Sequence, residues 1–155
     1  MRRKDRAVVS KEGIEKIIKK AEILRVAFTS NLQPYIVPVN FGFNENTFYF
    51  HCANKGKKLD MIKGNPNVAF ELEGNVELIK GDIPCTFTMA YESVIGSGTA
   101  SIVDATQEKI VGLNHIMNQY SDEVTLKYKK DMVDRIVIVK IEVDEMTGKK
   151  SEWGR

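Results

Sequence analysis

LRVAFTSNLQPYIVPVNFGFNENTFYFHC, residues 24–52, alternates strand-forming runs with turn-forming ones. Leu24 to Thr29 is apolar and β-rich. Ser30 to Gln33 has the composition of a hairpin turn. Pro34 to Phe43 is a long run of β-branched and aromatic residues, Asn44-Glu45-Asn46 is a second turn, and Thr47 to Cys52 is a third strand. Short turns join antiparallel neighbours, so these three strands are expected to pair as a meander.

C-terminal to this block, Ala53 to Gly64 opens with Asn-Lys-Gly-Lys-Lys and continues with Leu59, Met61 and Ile62, the spacing of a short helix. Asn65-Pro66 stops it. Asn67 to Glu73 is a fourth strand, and Val76, Leu78 and Ile79 extend it as a hairpin. Thr86 to Val103 is long and β-rich, with Gly96 and Gly98 marking a bulge or a close backbone approach. Asp104 to Tyr120 is predicted as a helix capped by Thr106, with Ile110, Leu113, Met117 and Tyr120 as its apolar stripe. Arg135 to Val143 is the last strand, and the tail is polar except for Trp153. On the N-terminal side, Ser10 caps a helix whose buried face is Ile14, Ile17, Ile18 and Ala21. The whole reads as one domain, residues 1–155, mainly β, with about six antiparallel strands and two or three peripheral helices. Strands joined by short turns exclude a Rossmann arrangement and suit a small closed or split barrel.

Composition narrows the function classes. The 155 residues are 43% hydrophobic and 28% charged, and 23 basic against 21 acidic side chains leave a formal charge of +2. That balance argues against a nucleic-acid partner, which calls for a basic stripe. No apolar run approaches the ~18 residues of a membrane span. The opening MRRKDRAVVS has no apolar segment behind it and does not read as a signal peptide. Cys52 and Cys85 lie outside any CxxC pair and read as reduced thiols of a cytoplasmic protein.

The segment Asn54 to Lys58 places three lysines and a glycine where a strand hands over to a helix. Helix N-termini present unpaired N–H groups and partial positive charge, so this spot suits a phosphate monoester. On charge alone, a solvated basic loop is the commoner explanation. Pro38 interrupts the strand from Ile36 to Phe41 beside Asn40, which marks either an edge strand or a place where backbone groups meet a planar polar ligand. His51 ends the third strand beside the lysines. A lone histidine there is more often structural than functional, and His115 is a weaker candidate. No metal-ligand spacing, GxGxxG, Walker or GxSxG motif is present in the sequence. Trp153 is expected to dock on its own barrel, a ligand or a partner subunit.

Three segments taken together, PYIVPVNFGF (34–43), TFYFHCANKGKKLDMIKGNPNVAFE (47–71) and YESVIGSGTASIV (91–103), resemble the pyridoxamine 5′-phosphate oxidase-like split-barrel flavoproteins. Among these the chain is most similar to the nitroimidazole-resistance (Nim-type) group, which MRRKDR (1–6) and TGKKSEW (147–153) also fit. The resemblance implies a six-stranded antiparallel Greek-key split β-barrel and a homodimer with two flavin mononucleotide (FMN) sites at its interface. It further implies that Val37, Pro38, Val39 and Asn40 line the flavin ring, and that His51, Cys52 and Ala53 lie beside it. Lys57 and Lys58 would hold the phosphate, Ser93 would reach the cofactor from the other subunit, and Trp153 would cover it. His51 would be the catalytic residue, in reduction of a small planar electron-poor compound such as a nitroimidazole. The second-strand motif YIVPVN lacks the basic residues of the true oxidases, which argues against pyridoxamine phosphate as substrate. The rival expectations are a non-catalytic barrel storing flavin or holding haem through His51, and a barrel for nucleic acid, which the charge disfavours.

Overall fold

The computed structural model describes residues 4–30, 33–122 and 127–151. In chain order these form a 3-10 turn (Lys4–Arg6), β1 (Ala7–Val8), α1 (Lys11–Lys20), β2 (Leu24–Ser30), β3 (Gln33–Val39), β4 (Gly42–Asn44) and β5 (Thr47–Ala53). There follow α2 (Lys57–Gly64), β6 (Asn67–Ile79), a 3-10 turn (Pro84–Thr86), β7 (Thr88–Val103), α3 (Thr106–Tyr120), α4 (Lys130–Asp134) and β8 (Ile136–Ser151).

All pairings are antiparallel, and the hydrogen-bonded path runs β3-β2-β6-β7-β8-β5-β4, with β1 attached to β8. The described residues thus form eight strands rather than six, and no ladder joins β3 to β4 to close the barrel. Both extra strands have simple origins. One is the two-residue β1, and the other comes from the run 34–43, which is two strands rather than one. Its first part pairs with β2, from Leu24 opposite Val39 to Ser30 opposite Gln33. Its second part pairs with β5, Gly42 opposite Tyr49. The expected meander is therefore wrong at its centre: β3 and β5 are not neighbours.

Only Asn40 and Phe41 separate these two strands, which sit at opposite ends of the path. A flat sheet of seven strands would hold its edges about 29 Å apart. Three Cα steps, Val39 to Gly42, span at most about 11 Å. The sheet must therefore roll until its edges meet at this corner, and it stays split elsewhere. Tyr120, at the end of α3, pins the corner: its hydroxyl accepts from the Phe41 N–H (2.9 Å) and donates to the Glu22 carbonyl (2.8 Å). The neighbouring Gln119 amide donates to the carbonyls of Ile18 (2.9 Å) and Ala21 (3.0 Å), closing the C-terminal end of α1.

The rolled interior is filled by alternate residues of the strands: Val26 and Phe28, Phe48 and Phe50, Val68, Phe70 and Leu72, Val139 and Ile141. Helix α1 adds Ile14, Ile17 and Ile18, and Ser10 caps it through the Gly13 N–H (3.1 Å) as expected. β7 and β8 shift register between Ser97 and Gly98, the bulge that the glycines signalled. At Gly96 a Cβ would lie 2.4 Å from the Phe70 ring, so the backbone there leaves no room for a side chain. Two details of α3 differ from expectation. It begins at Thr106 with Ala105 as N-cap and no side-chain cap. Its buried face is Lys109, Gly112 and Ile116, whereas Tyr120 is partly exposed because its hydroxyl serves the corner. Lys109 is tolerated inside by its pairing with Asp104 (2.8 Å).

Glu92 on β7 is a buried carboxylate held by Lys20 (2.8 Å), Lys150 (3.2 Å) and the Asn75 amide (2.8 Å). Burial pushes its pKa up, but the two ammonium groups outweigh that and hold it below the ordinary 4.5. Its stabilisation is therefore complete above about pH 4.5 and lost as pH falls through the lower folded-state value. Urea unfolding of Glu92→Gln is expected to show about 1–3 kcal/mol less stability at pH 7. The same variant should lose less stability than wild type on acidification. Tyr120→Phe leaves the Phe41 N–H without its partner and is expected to cost about 1–3 kcal/mol by the same measurement.

Candidate cofactor site

Strand β5 alternates cleanly. Phe48, Phe50 and Cys52 point into the core, while His51 and Ala53 are exposed. The Cys52 thiol is thus a core group, and burial raises its pKa, with Lys58 pulling partly the other way. Only its backbone faces the strand end. His51 lies on the outer face opposite Ile138 of β8. The protein packed around its imidazole lowers its pKa below 6.5, and the Lys58 ammonium lowers it further. At neutral pH the ring is therefore uncharged, and it lies within the field of Lys58.

After Ala53 the chain turns through exposed Asn54 and Lys55 to Gly56, whose φ of +141° is accessible essentially to glycine alone. The Gly56 carbonyl accepts the N–H groups of Leu59 (2.9 Å) and Asp60 (3.3 Å), which starts the ladder of α2. The amides of Lys57 and Lys58 precede that ladder, and no side chain caps the helix. Leu59, Met61 and Ile62 bury the opposite side of α2. Asn65 fixes its far end, with its amide on the Thr29 carbonyl (3.3 Å) and its side-chain oxygen accepting the Asn67 N–H (3.1 Å). The Asn-Pro stop thus also ties α2 to β2.

Rolling of the sheet brings this helix start to β3. The Lys57 ammonium sits 4.4 Å from the centre of the Tyr35 ring. A cleft of about 560 Å³ opens there, lined by Ser30, Gln33, Lys57, Asp60 and Met61. In β3, Tyr35, Val37 and Val39 pack toward the core, while Ile36, Pro38 and, just beyond the strand, Asn40 are exposed. Pro38 sits in register opposite Arg25, so it does not interrupt the strand; the interruption falls at Asn40–Phe41. β3 is instead an edge strand, and its outer row of backbone groups has no strand partner among the described residues.

The start of α2 thus meets Tyr35 of β3 through Lys57 and the His51–Cys52 end of β5 through the field of Lys58, while along β3 Val37 and Val39 face inward and Pro38 and Asn40 outward. Ser93 lies elsewhere. It is buried on the outer face of β7, opposite Lys149, in a separate and mainly apolar cleft of about 410 Å³. Tyr91, Ile95, Val76 and Met89 line that cleft too, and Lys149 hydrogen-bonds the Tyr91 hydroxyl with its ammonium 4.8 Å from the ring centre. Trp153 lies outside the described residues. Sequence reasoning missed Tyr35, since only the rolling of the sheet reveals its place under Lys57. It also missed the Lys149–Tyr91 pair, because β8 continues past Val143 into what read as a polar tail.

A curated relative, an uncharacterised protein, RA0666, of Rhizobium meliloti (strain 1021), is 30% identical over 66 residues. That match covers 42% of this chain, and the chain spans about two fifths of the relative's length (42%). Among solved structures, a candidate 5-nitroimidazole antibiotic resistance protein from Bacteroides thetaiotaomicron VPI-5482 superposes with a TM-score of 0.81 at 30% identity. The overlap covers 94% of this chain and 90% of that one. The FAD and heme binding protein of Mycobacterium smegmatis gives a TM-score of 0.83 at 14% identity, over 96% of this chain and 74% of that one, a likeness of fold. The model of the pyridoxamine 5′-phosphate oxidase family matches residues 10–150, nearly the whole chain, and the protein belongs to that family.

Proposed function

We propose that this protein binds FMN at the corner between α2 and β3 and, as a homodimer, uses it to reduce a small planar electron-poor compound such as a nitroimidazole. The observation that carries this is the uncapped start of α2, with Lys57 and Lys58 as its first residues, set beside the free edge of β3 and the exposed His51. Membership of the family and the 30% identity to a nitroimidazole-resistance candidate support the same reading.

The residues fit the cofactor by their chemistry. Lys57 and Lys58 offer two ammonium groups and two backbone N–H donors to a phosphate dianion. The outer edge of β3 near Pro38 and Asn40 offers backbone hydrogen bonds to a flat heterocycle. When bound, FMN supplies the electrons or hydride, and the protein supplies binding, orientation and electrostatics. His51, neutral at rest, would take up a proton and deliver it to the reduced substrate.

A second copy of the chain completes the site. Ser93 and His51 each pair with β8, at Lys149 and Ile138, eleven positions apart. That is about 35 Å along the strand, too far for both to touch one flavin in the same protomer. A two-fold partner would bring its own Ser93 cleft to the lysine corner. The exposed Val76, Met89 and Ile95 around that cleft are the side chains such a contact would cover.

Replacing both Lys57 and Lys58 by alanine is expected to weaken FMN binding by well over tenfold in fluorescence titrations. Riboflavin, which lacks the phosphate, should bind the variant and wild type alike. Unchanged FMN affinity would place the phosphate elsewhere. For His51, NMR titration of the flavin-free protein should give a pKa below 6.5 that rises in Lys58→Ala. Turnover that needs its imidazolium should then fall as pH rises through the wild-type value, and His51→Ala should lose that dependence. A colourless protein that takes up no FMN would overturn the proposal, and a Soret band in its place would favour haem.

A further inference from the structure

A further cavity lies away from the lysine corner of the same protomer, at the root of the β6–β7 hairpin. It has a volume of about 630 Å³ and is lined by Arg6, Ile79, Lys80, Gly81, Cys85, Thr86, Phe87, Thr88 and Ser151. We propose that it binds a small organic anion, a carboxylate carried on an apolar body. Within one protomer it is separate from that corner, since Ser151 stands thirteen positions from Ile138 along β8, at the far end of the strand from His51, and it adjoins the Ser93 cleft through the Ser151 bond to the Met89 carbonyl.

Charge, shape and rigidity each point to this ligand. Two cations, Arg6 and Lys80, line the cavity, and none of its lining residues among the described ones is acidic. One guanidinium nitrogen of Arg6 donates to the Ser151 hydroxyl (3.4 Å). Its Nε is shielded from solvent and has no hydrogen-bond partner among the described residues. The part of the guanidinium that lines the cavity offers a carboxylate a charged, planar donor group. Thr88 adds a hydroxyl, whereas the Thr86 and Ser151 hydroxyls already donate to the Ile83 and Met89 carbonyls, and Ile79 and Phe87 form an apolar wall that an inorganic anion would leave unused.

The loop is held in place before any ligand arrives. The Thr86 hydroxyl donates to the Ile83 carbonyl (2.8 Å) and accepts the Ile83 N–H (3.4 Å), and the Phe87 N–H donates to the Pro84 carbonyl (3.2 Å). Gly81 lies so close to Thr86 that a Cβ would fall 1.8 Å from its Oγ1. A wall already ordered adds little entropic cost to binding.

Cys85 reports on occupancy, since it is exposed at the cavity while Cys52 is buried. Benzoate at constant ionic strength is expected to slow alkylation of Cys85 by iodoacetamide in a saturable way, whereas neutral benzamide should not. Lys80→Gln, on an exposed turn, and Arg6→Gln should each raise the half-protecting benzoate concentration about tenfold. Absence of protection by benzoate, or equal protection in wild type and a folded Lys80→Gln variant, would overturn the site. Protection by inorganic phosphate as strong as that by benzoate would overturn its assignment to an organic anion.

Discussion

Asn40 and Phe41 join strands that the hydrogen-bonded path places farthest apart, and most of the molecule's arrangement follows from that short connection. Because it cannot stretch, the sheet curls. Because the sheet curls, the start of α2 comes under the face of β3, and Lys57 comes to rest against Tyr35. The corner is held from outside by one phenol, Tyr120, which bonds both sides of the bend. A helix far along the chain thus fixes the bend between β3 and β4.

The fold class was legible because strand-forming runs and turn residues alternate along the sequence, and interior packing respects that alternation. Seven of the strand and helix segments between Ser10 and Val143 fall close to where composition puts them. The failure at residues 34–43 is instructive. Nothing in PYIVPVNFGF breaks the β pattern, since both halves are strands; only their partners differ, and partner choice is a property of the closed structure. Likewise β8 extends to Ser151 through a polar segment because an outer face tolerates lysine and threonine. The stripe on α3 was misjudged for another reason: Lys109 is buried by pairing with Asp104, which apolar periodicity cannot signal.

At the candidate site, the helix start was legible from its glycine and lysines, since Gly56 adopts a backbone conformation that few other residues accept. What the sequence left open was direction. Neighbours His51 and Cys52 look equivalent on paper, yet pleating sends one outward and the other into the core. Electrostatics then separate them further: the same Lys58 disfavours the imidazolium and favours the thiolate. Of the pair, only the histidine is both accessible and able to exchange a proton near neutrality.

β3 carries one further consequence. Pro34 and Pro38 stand four residues apart, so their nitrogens fall on the same side of the strand, and an edge strand keeps such nitrogens away from its ladder. The outer rim therefore lacks two of the amide hydrogens that a docking strand would require, while its carbonyls remain. Such a rim is a poor template for runaway strand addition between molecules and a good acceptor surface for a donor-bearing heterocycle. The same two imino acids thus leave a rim rich in acceptors and poor in donors.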